Sequence, residues 1–227
     1  MFSGIVSDIG EVRAATRTKE GAHRFEIATR YAAASMALGS SICVHGICLT
    51  VVAKGAVKGA VPKSAPRRGA GKTKTKARAR AWFRVDVSPE TLARSNARVW
   101  RVGTRLHLEQ ALRLSDRLDG HFVAGHVDGL ARLVDRKEMG DCLALRFETP
   151  RACAPYLARK GSVALDGTSL TINARTRTRM EVMLIPHSLH ATRWQACEVG
   201  QLVNLEVDLL ARYSVDARRH ADAHKRS

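Results

Sequence analysis

The sequence predicts an all-β chain folded as two similar domains, each a barrel or a sandwich. Three observations carry this. Residues 41–51 read S-I-C-V-H-G-I-C-L-T-V, and residues 162–172, 121 positions later, read S-V-A-L-D-G-T-S-L-T-I. In both copies apolar residues alternate with other types, the period of a strand that buries one face. A glycine, Gly46 or Gly167, breaks each run, where a tight turn or a close backbone approach needs it. The rest of the chain is cut by glycine turns into short segments of the same kind, the pattern of barrels and sandwiches.

The echo extends along the chain. At the same spacing Gly4-Ile5-Val6 falls on Gly125-His126-Val127. Phe83-Arg84-Val85 falls on Met180-Glu181-Val182, and Ser88-Pro89-Glu90-Thr91-Leu92 on Ile185-Pro186-His187-Ser188-Leu189. Val102-Gly103 with Leu108-Glu109 falls on Val199-Gly200 with Leu205-Glu206. These later blocks are 97 positions apart, so the first half holds 24 extra residues between Val51 and Phe83. Four blocks in order mark an internal repeat, and 227 residues suit two domains of roughly 100 each.

Taken in order, Ile5-Val6, residues 9–12 and residues 23–28 read as strands, and the alanine-rich residues 31–38 as a short helix before the Ser41 strand. Residues 54–80 hold ten Lys or Arg and no acidic residue, in a background of Ala, Gly and Pro. That composition cannot bury enough apolar surface to offset its ordering entropy, so it reads as a disordered insertion between two strands. Residues 82–87 form the next strand, with Phe83, Val85 and Val87 on one face. Ser88 then caps a short helix with Pro89 at its first position. Residues 105–114 continue as a strand, and Asp119-Gly120-His121-Phe122 turns into the second half. Its strands are residues 127–134, 142–148, 162–173, 180–185 and 202–207, with residues 152–160 as the counterpart of the first short helix. The tail from Asp208 has helical composition. The domains read as residues 1–120, 121–207 and a tail of 208–227.

The formal charge of +17 suggests nucleic acid until its distribution is considered. Without residues 54–80 it falls to +7, and that insertion has no Phe, Tyr or Trp to stack on bases. The insertion reads as a solvated loop, since long surface insertions cost little, with an arm for an acidic partner as the rival reading. No apolar run approaches the ~20 residues of a membrane span, and the N-terminus shows no basic region followed by an apolar core. Five cysteines, an odd number without metal-ligand spacing, fit free thiols in a reducing cytosol.

The chain resembles the riboflavin synthase family, the homotrimeric type with two lumazine-binding barrels. The resemblance rests on Met1-Phe2-Ser3-Gly4-Ile5-Val6, Gly46-Ile47-Cys48-Leu49-Thr50-Val51, Val87-Ser88-Pro89-Glu90-Thr91-Leu92, Gly120-His121-Phe122-Val123-Ala124-Gly125-His126-Val127-Asp128, Asp166-Gly167-Thr168-Ser169-Leu170-Thr171, Leu184-Ile185-Pro186-His187-Ser188-Leu189 and Val203-Asn204-Leu205-Glu206-Val207-Asp208. It implies two six-stranded antiparallel Greek-key barrels and a C-terminal helix that drives trimerisation, with Leu209, Leu210, Tyr213 and Val215 as the apolar residues available. It implies the last step of riboflavin biosynthesis, in which two 6,7-dimethyl-8-ribityllumazine molecules exchange a four-carbon unit. One becomes riboflavin and the other 5-amino-6-ribitylamino-pyrimidinedione. It implies no cofactor and no metal, and a site between the first barrel of one chain and the second barrel of its neighbour.

The same resemblance assigns the site residues. Cys48, His126, Ser169 and Asp208 are the catalytic candidates, with Thr50 and Thr171 beside them. Backbone around Gly4, Ile5 and Val6, and around Leu49 and Leu170, lines the rings. So do Asp86, Val87, Ser88, Pro89, Glu90 and Thr91 in the first half. In the second half the counterparts are Gly125 and Val127, then Met183, Leu184 and Ile185, then Pro186, His187 and Ser188. Lys160 reaches across from the partner chain. Each residue type also has a plain structural use: a cysteine packs as a small hydrophobe, and Asp208 can cap a helix. The paired positions differ in one chemical respect, Cys48 against Ser169. A thiol ionises near pH ~8.5 and a hydroxyl does not, so the more demanding role is expected at Cys48. The rival class is a non-catalytic lumazine- or flavin-binding relative; the presence of both Cys48 and Ser169 favours the enzyme.

Overall fold

The computed structural model describes residues 1–18, 21–57 and 81–224. β1 (Asp8–Arg17), β2 (His23–Thr29), β3 (Ser41–Val44), β4 (Ile47–Ala56), β5 (Ala81–Val87) and β6 (Arg105–Gln110) close one barrel. β7 (Gly129–Met139), β8 (Cys142–Glu148), β9 (Ser162–Leu165), β10 (Thr168–Arg175), β11 (Arg179–Leu184) and β12 (Leu202–Val207) close the other. The strand circles are β1-β2-β5-β4-β3-β6 and β10-β11-β8-β7-β12-β9, the same order once β7 is matched to β1. Every pairing is antiparallel. The two-domain, all-β expectation holds, and closure into six-stranded barrels decides against sandwiches.

Alternation builds the cores. Ile47, Leu49, Val51, Phe83, Val85 and Val87 pack inside the first barrel, and Leu170, Ile172, Met180, Val182 and Leu184 inside the second. Register shifts fall at matching places, Val12/Ala14 and Leu133/Asp135, then Val51/Ala53 and Ile172/Ala174. Such bulges bend and twist a strand, which lets a small sheet close on itself. After β5 and β11 come two short helices, α1 (Pro89–Arg94) and α2 (Pro186–Ala191). Ser88 Oγ accepts from Thr91 N at 3.2 Å and Pro89 opens the helix, as the sequence predicts. α3 (Leu209–His224) follows the second barrel. Asp208 Oδ1 accepts from Leu210 N at 2.9 Å, so this aspartate does serve at the helix start.

Some expectations fail locally. Ile5-Val6 lies outside the strands, because its segment bonds to side chains and to the other barrel instead of a ladder. The helices expected over residues 31–38 and 152–160 shrink to 3-10 segments, one turn at Ala33–Ser35 and about two turns at Arg151–Tyr156. The strand expected to reach residue 114 stops at Gln110, and the strand expected from residue 127 begins at Gly129. The insertion expected from residue 54 begins later: Lys54, Gly55 and Ala56 stay in β4, where Gly55 pairs with Trp82 and Ala56 with Ala81. Residues 58–80 lie outside the described residues.

The barrels meet along a buried polar seam. His45-Gly46 and Asp166-Gly167 are two-residue hairpin turns with φ of 53° and 87°, and 43° and 76°. Positive φ at both positions is what a type I′ turn requires. The two turns lie backbone against backbone: a Cβ on Gly46 would stand 2.8 Å from Gly167 N, and one on Gly167 2.8 Å from Gly46 N. Each repeat's glycine thus makes room for the other's. Around them His45 Nε2 donates to Asp166 Oδ2 at 3.1 Å, and Asn204 Nδ2 donates to His45 O at 2.8 Å. Asn96 Nδ2 donates to Asp166 Oδ1 at 3.0 Å. His107 bonds Asp166 O through Nδ1 at 2.9 Å and accepts from Arg193 N through Nε2 at 2.8 Å. Burial, then the nearby His45, lowers the His107 ring to about 3, so it is neutral here.

Candidate active site

Two half-sites occupy equivalent places on the two barrels. In β4 the inward residues are Ile47, Leu49 and Val51, which leaves Cys48 and Thr50 facing outward. In β10 the inward Leu170 and Ile172 leave Ser169 and Thr171 outward. Cys48 and Ser169 are half-buried, whereas Thr50 and Thr171 are exposed. These are the side chains that the sequence places at the site, and alternation alone delivers them to one face.

What covers them comes from the other barrel. Ser169 N donates to Gly4 O at 2.7 Å, and Cys48 N donates to Gly125 O at 2.8 Å. The segment leading into each barrel therefore crosses to the partner barrel's second hairpin strand. Both glycines have positive φ, 76° and 78°. A Cβ on Gly4 would lie 2.6 Å from Ser169 Cβ, and one on Gly125 2.6 Å from Cys48 N. Only glycine lets backbone come this close. Two buried glutamates hold the crossing arms. Glu109 accepts from Ser3 N at 2.7 Å, Ser3 Oγ at 2.7 Å and Gly4 N at 2.9 Å. Glu206 accepts from Ala124 N at 2.6 Å, Gly125 N at 2.8 Å and His126 N at 3.0 Å. Burial raises both carboxyls against the pull of these donors, Glu206 to about 7. The repeat block Leu108-Glu109/Leu205-Glu206 was the sequence signal for these holders, although it did not reveal the role.

The half-sites differ chemically. Ser169 Oγ shares a hydrogen bond of 2.7 Å with His121 Nδ1. His121 is buried, its Nε2 has no hydrogen-bond partner among the described residues, and burial lowers its pKa while the charge of Asp208 raises it. Gly120 permits this placement, since a Cβ there would stand 3.1 Å from Ser169 Oγ and 2.0 Å from Ser3 O. A neutral imidazole bonded to a hydroxyl can take that proton and leave the oxygen a better nucleophile. Cys48 Sγ has no hydrogen-bond partner among the described residues. The sequence places His121 in a turn; it has no counterpart in the first half, so the repeat gives no cue.

The remaining predicted residues scatter around these two faces. His126 is exposed, and its backbone rather than its ring is tied down, through Glu206. Val127 packs against the first barrel's core. Asp86 is held by Arg24 through bonds of 2.7 and 2.8 Å, which lowers its pKa. Met183 and Ser188 are half-buried, and Ile185, Pro186 and His187 exposed, beside and within α2. Lys160 is exposed with φ of 68° where the equivalent Gly39 has 79°. A lysine in the left-handed region is uncommon and costs of order 1 kcal/mol. One cleft among the described residues, about 840 Å³, contains only Val6 of the predicted residues, with Ile9, Arg30, Arg105 and His190 around it. The predicted site is instead a pair of open faces.

A chain of two such barrels with exchanged arms is a tandem lumazine-binding protein: residues 3–111 and 124–208 each match the lumazine binding domain family. Within that class it is similar to riboflavin synthase of Brucella abortus (strain 2308), 41% identical over 214 residues, covering 94% of this chain and 96% of that one. Riboflavin synthase of Mycobacterium tuberculosis (strain ATCC 25618 / H37Rv) is 38% identical over 216 residues, covering 94% and 96%. The chain belongs to the riboflavin synthase family. Its fold is also that of LumP, solved with 6,7-dimethyl-8-(1'-D-ribityl) lumazine (TM-score 0.69, 19% identity) and with riboflavin (TM-score 0.71, 18% identity), each covering 91% of this chain and 99% of that one.

Proposed function

We propose that this chain forms riboflavin from two 6,7-dimethyl-8-ribityllumazine molecules, one held on each kind of half-site. The observation that carries this is the pair of equivalent faces, one presenting Cys48 and the other Ser169. A dismutation consumes two copies of one substrate in two unlike roles, and it needs two similar but unequal pockets. Residues 1–120 and 121–207 form the two lumazine-binding units, and residues 208–227 the tail. Both half-sites are open in one chain, so the Cys48 face of one chain stacks against the Ser169 face of a neighbour in a homotrimer, with Lys160 closing the site from across. Holding the two rings in register converts a bimolecular encounter into a local one, worth ~7–11 kcal/mol.

The chemistry requires loss of a proton from the methyl group at ring position 7 of one lumazine and addition of a nucleophile to the other. Ser169 with His121 supplies a polarised hydroxyl, Cys48 a thiol, and Asp208 a charge beside the imidazole. Backbone around Gly4 and Gly125 reads the ring edges. Atoms balance between the two substrates and the two products, so no outside reactant enters. No helix among the described residues is long and apolar enough to cross a membrane. Incubating the protein with the lumazine alone and following riboflavin fluorescence tests the reading. Appearance of riboflavin with an equal amount of the pyrimidinedione is expected; tight lumazine binding with no turnover would make the chain a binding protein instead.

A further inference from the structure

We propose that Cys43 and Cys48 form a reversible cross-strand disulfide on exposure to a hydroperoxide, and that this bond shuts down the first barrel's half-site. Cys43 on β3 stands directly opposite Cys48 on β4. Val44 and Ile47 close the two-residue turn, so the next pair out is a non-hydrogen-bonded one. In agreement, Cys48 N–H goes to Gly125 O rather than to β3. In such a pair the Cα atoms are ~4.5 Å apart and the side chains share a face. Disulfides take Cα separations of ~4.4–6.8 Å.

Packing places both thiols on that face. Ile42, Val44, Ile47 and Leu49 point into the first core. Cys43 lies instead in a separate cluster with Phe2, Val123 and Ala164, and Cys48 packs against the same cluster. The second barrel sets Ala164 opposite Ser169, the same backbone without thiols. Cys153 and Cys197 sit in the second barrel's core, away from this pair.

The steps balance. Cys48 is half-buried whereas Cys43 is 2% exposed, so the oxidant meets Cys48 first. The Cys48 thiolate attacks the peroxide: an S–O bond forms, the O–O bond breaks, and the other oxygen leaves with a proton. Cys43 sulfur then displaces the hydroxyl from the sulfenic acid. The S–S bond forms, the S–O bond breaks, and the Cys43 proton leaves with the hydroxyl as water. Together the thiols give up two electrons and two protons to the hydroperoxide. Burial and the neighbouring Glu109 keep the Cys43 thiol protonated, so it does not initiate; it attacks the sulfenic sulfur as its proton passes to the departing hydroxyl. A disulfide at this position pulls Cys48 sulfur toward β3 and away from the open face. The loss of activity, though not the bond, rests on the assignment of Cys48 to the substrate site.

The test treats the full chain with limiting hydrogen peroxide and digests it with trypsin. Residues 31–54 contain both thiols and no internal Lys or Arg, so both appear in one peptide. The expected product is that peptide lighter by two hydrogens and restored by dithiothreitol, with turnover lost and regained in proportion. Cys43→Ala, matching Ala164 of the other barrel, should never lose two hydrogens; it should instead gain oxygen at Cys48, and under excess peroxide pass to a sulfinate that dithiothreitol does not restore. A wild-type peptide that gains oxygen without losing hydrogen, or links to Cys142, Cys153 or Cys197, overturns the proposal. A reversible bond with unchanged turnover leaves the disulfide standing and removes Cys48 from the site.

Discussion

Ser169 and His121 share one hydrogen bond of 2.7 Å, so their contributions to turnover should be shared as well. Ser169→Ala and His121→Gln are each expected to lower riboflavin formation ~100-fold, equivalent to ~2.7 kcal/mol of transition-state stabilisation. The double variant should be barely slower than either single one, because removing the hydroxyl already idles the base. Rates that multiply across the double variant would show that the two act separately. His107 offers a second prediction, of stability rather than rate. Its folded pKa, about 3, lies below the unfolded value near 6.5, so the unfolded chain binds the proton and acid favours unfolding. The stabilisation is whole above pH ~6.5 and is lost as pH falls toward 3. Asn204 fills the equivalent position in the second barrel without titrating, which makes His107→Asn the natural comparison. Between pH 7 and 4.5 the wild type should lose ~2–3 kcal/mol relative to this variant in urea unfolding. Parallel pH curves for the two proteins would place the His107 ring in contact with water.

The facing turns are the element on which the two barrels register. Gly46→Ala and Gly167→Ala each place a Cβ 2.8 Å from a backbone nitrogen of the opposite turn, in addition to the strain of positive φ. Gly140 has φ of 60°, but none of the described residues comes within 4 Å of a new Cβ there. Gly140→Ala should therefore cost only the ~1 kcal/mol of backbone strain, whereas either seam variant should cost at least twice that in denaturant unfolding. Equal losses at all three sites would mean that the seam yields readily. These turns were legible in the sequence, since His-Gly and Asp-Gly interrupt alternating runs at the same place in each copy. The strands were legible for the same reason: burial on one face writes a period of two. The crossing arms were not. Gly4 bonds Ser169 and Glu109 over separations above 100 residues, and no local period records such a contact. The helices expected at residues 31–38 and 152–160 failed because alanine content signals helix propensity while the neighbouring turns fix the backbone. His121 was missed because it stands outside the repeated blocks.

At the scale of the whole molecule the question is what the tail does for two barrels that already close by themselves. α3 returns to the second barrel through Arg212, whose Nη2 donates to Asp128 at 2.8 and 2.6 Å, and through Tyr156 OH, which donates to Asp216 at 2.9 Å. These contacts fix the helix but leave Leu210 65% and Tyr213 68% exposed. Apolar side chains held outward on an anchored helix suit burial against further copies of the same helix. Because the proposed site pairs the Cys48 face of one chain with the Ser169 face of another, losing the helix should also separate the half-sites. Ending the chain after Asp208 is expected to shift sedimentation from trimer to monomer and to lower riboflavin formation more than tenfold. Far-ultraviolet dichroism should still report both barrels, and lumazine titration should still detect binding, since neither barrel's core includes α3. Leu210→Asp together with Tyr213→Asp should reproduce the effect without removing Arg212 from Asp128, which separates assembly from anchoring. A truncated chain that sediments as a monomer and turns over at the parent rate would put the complete site within one chain, and the two open faces would then have to meet by some movement of one barrel against the other.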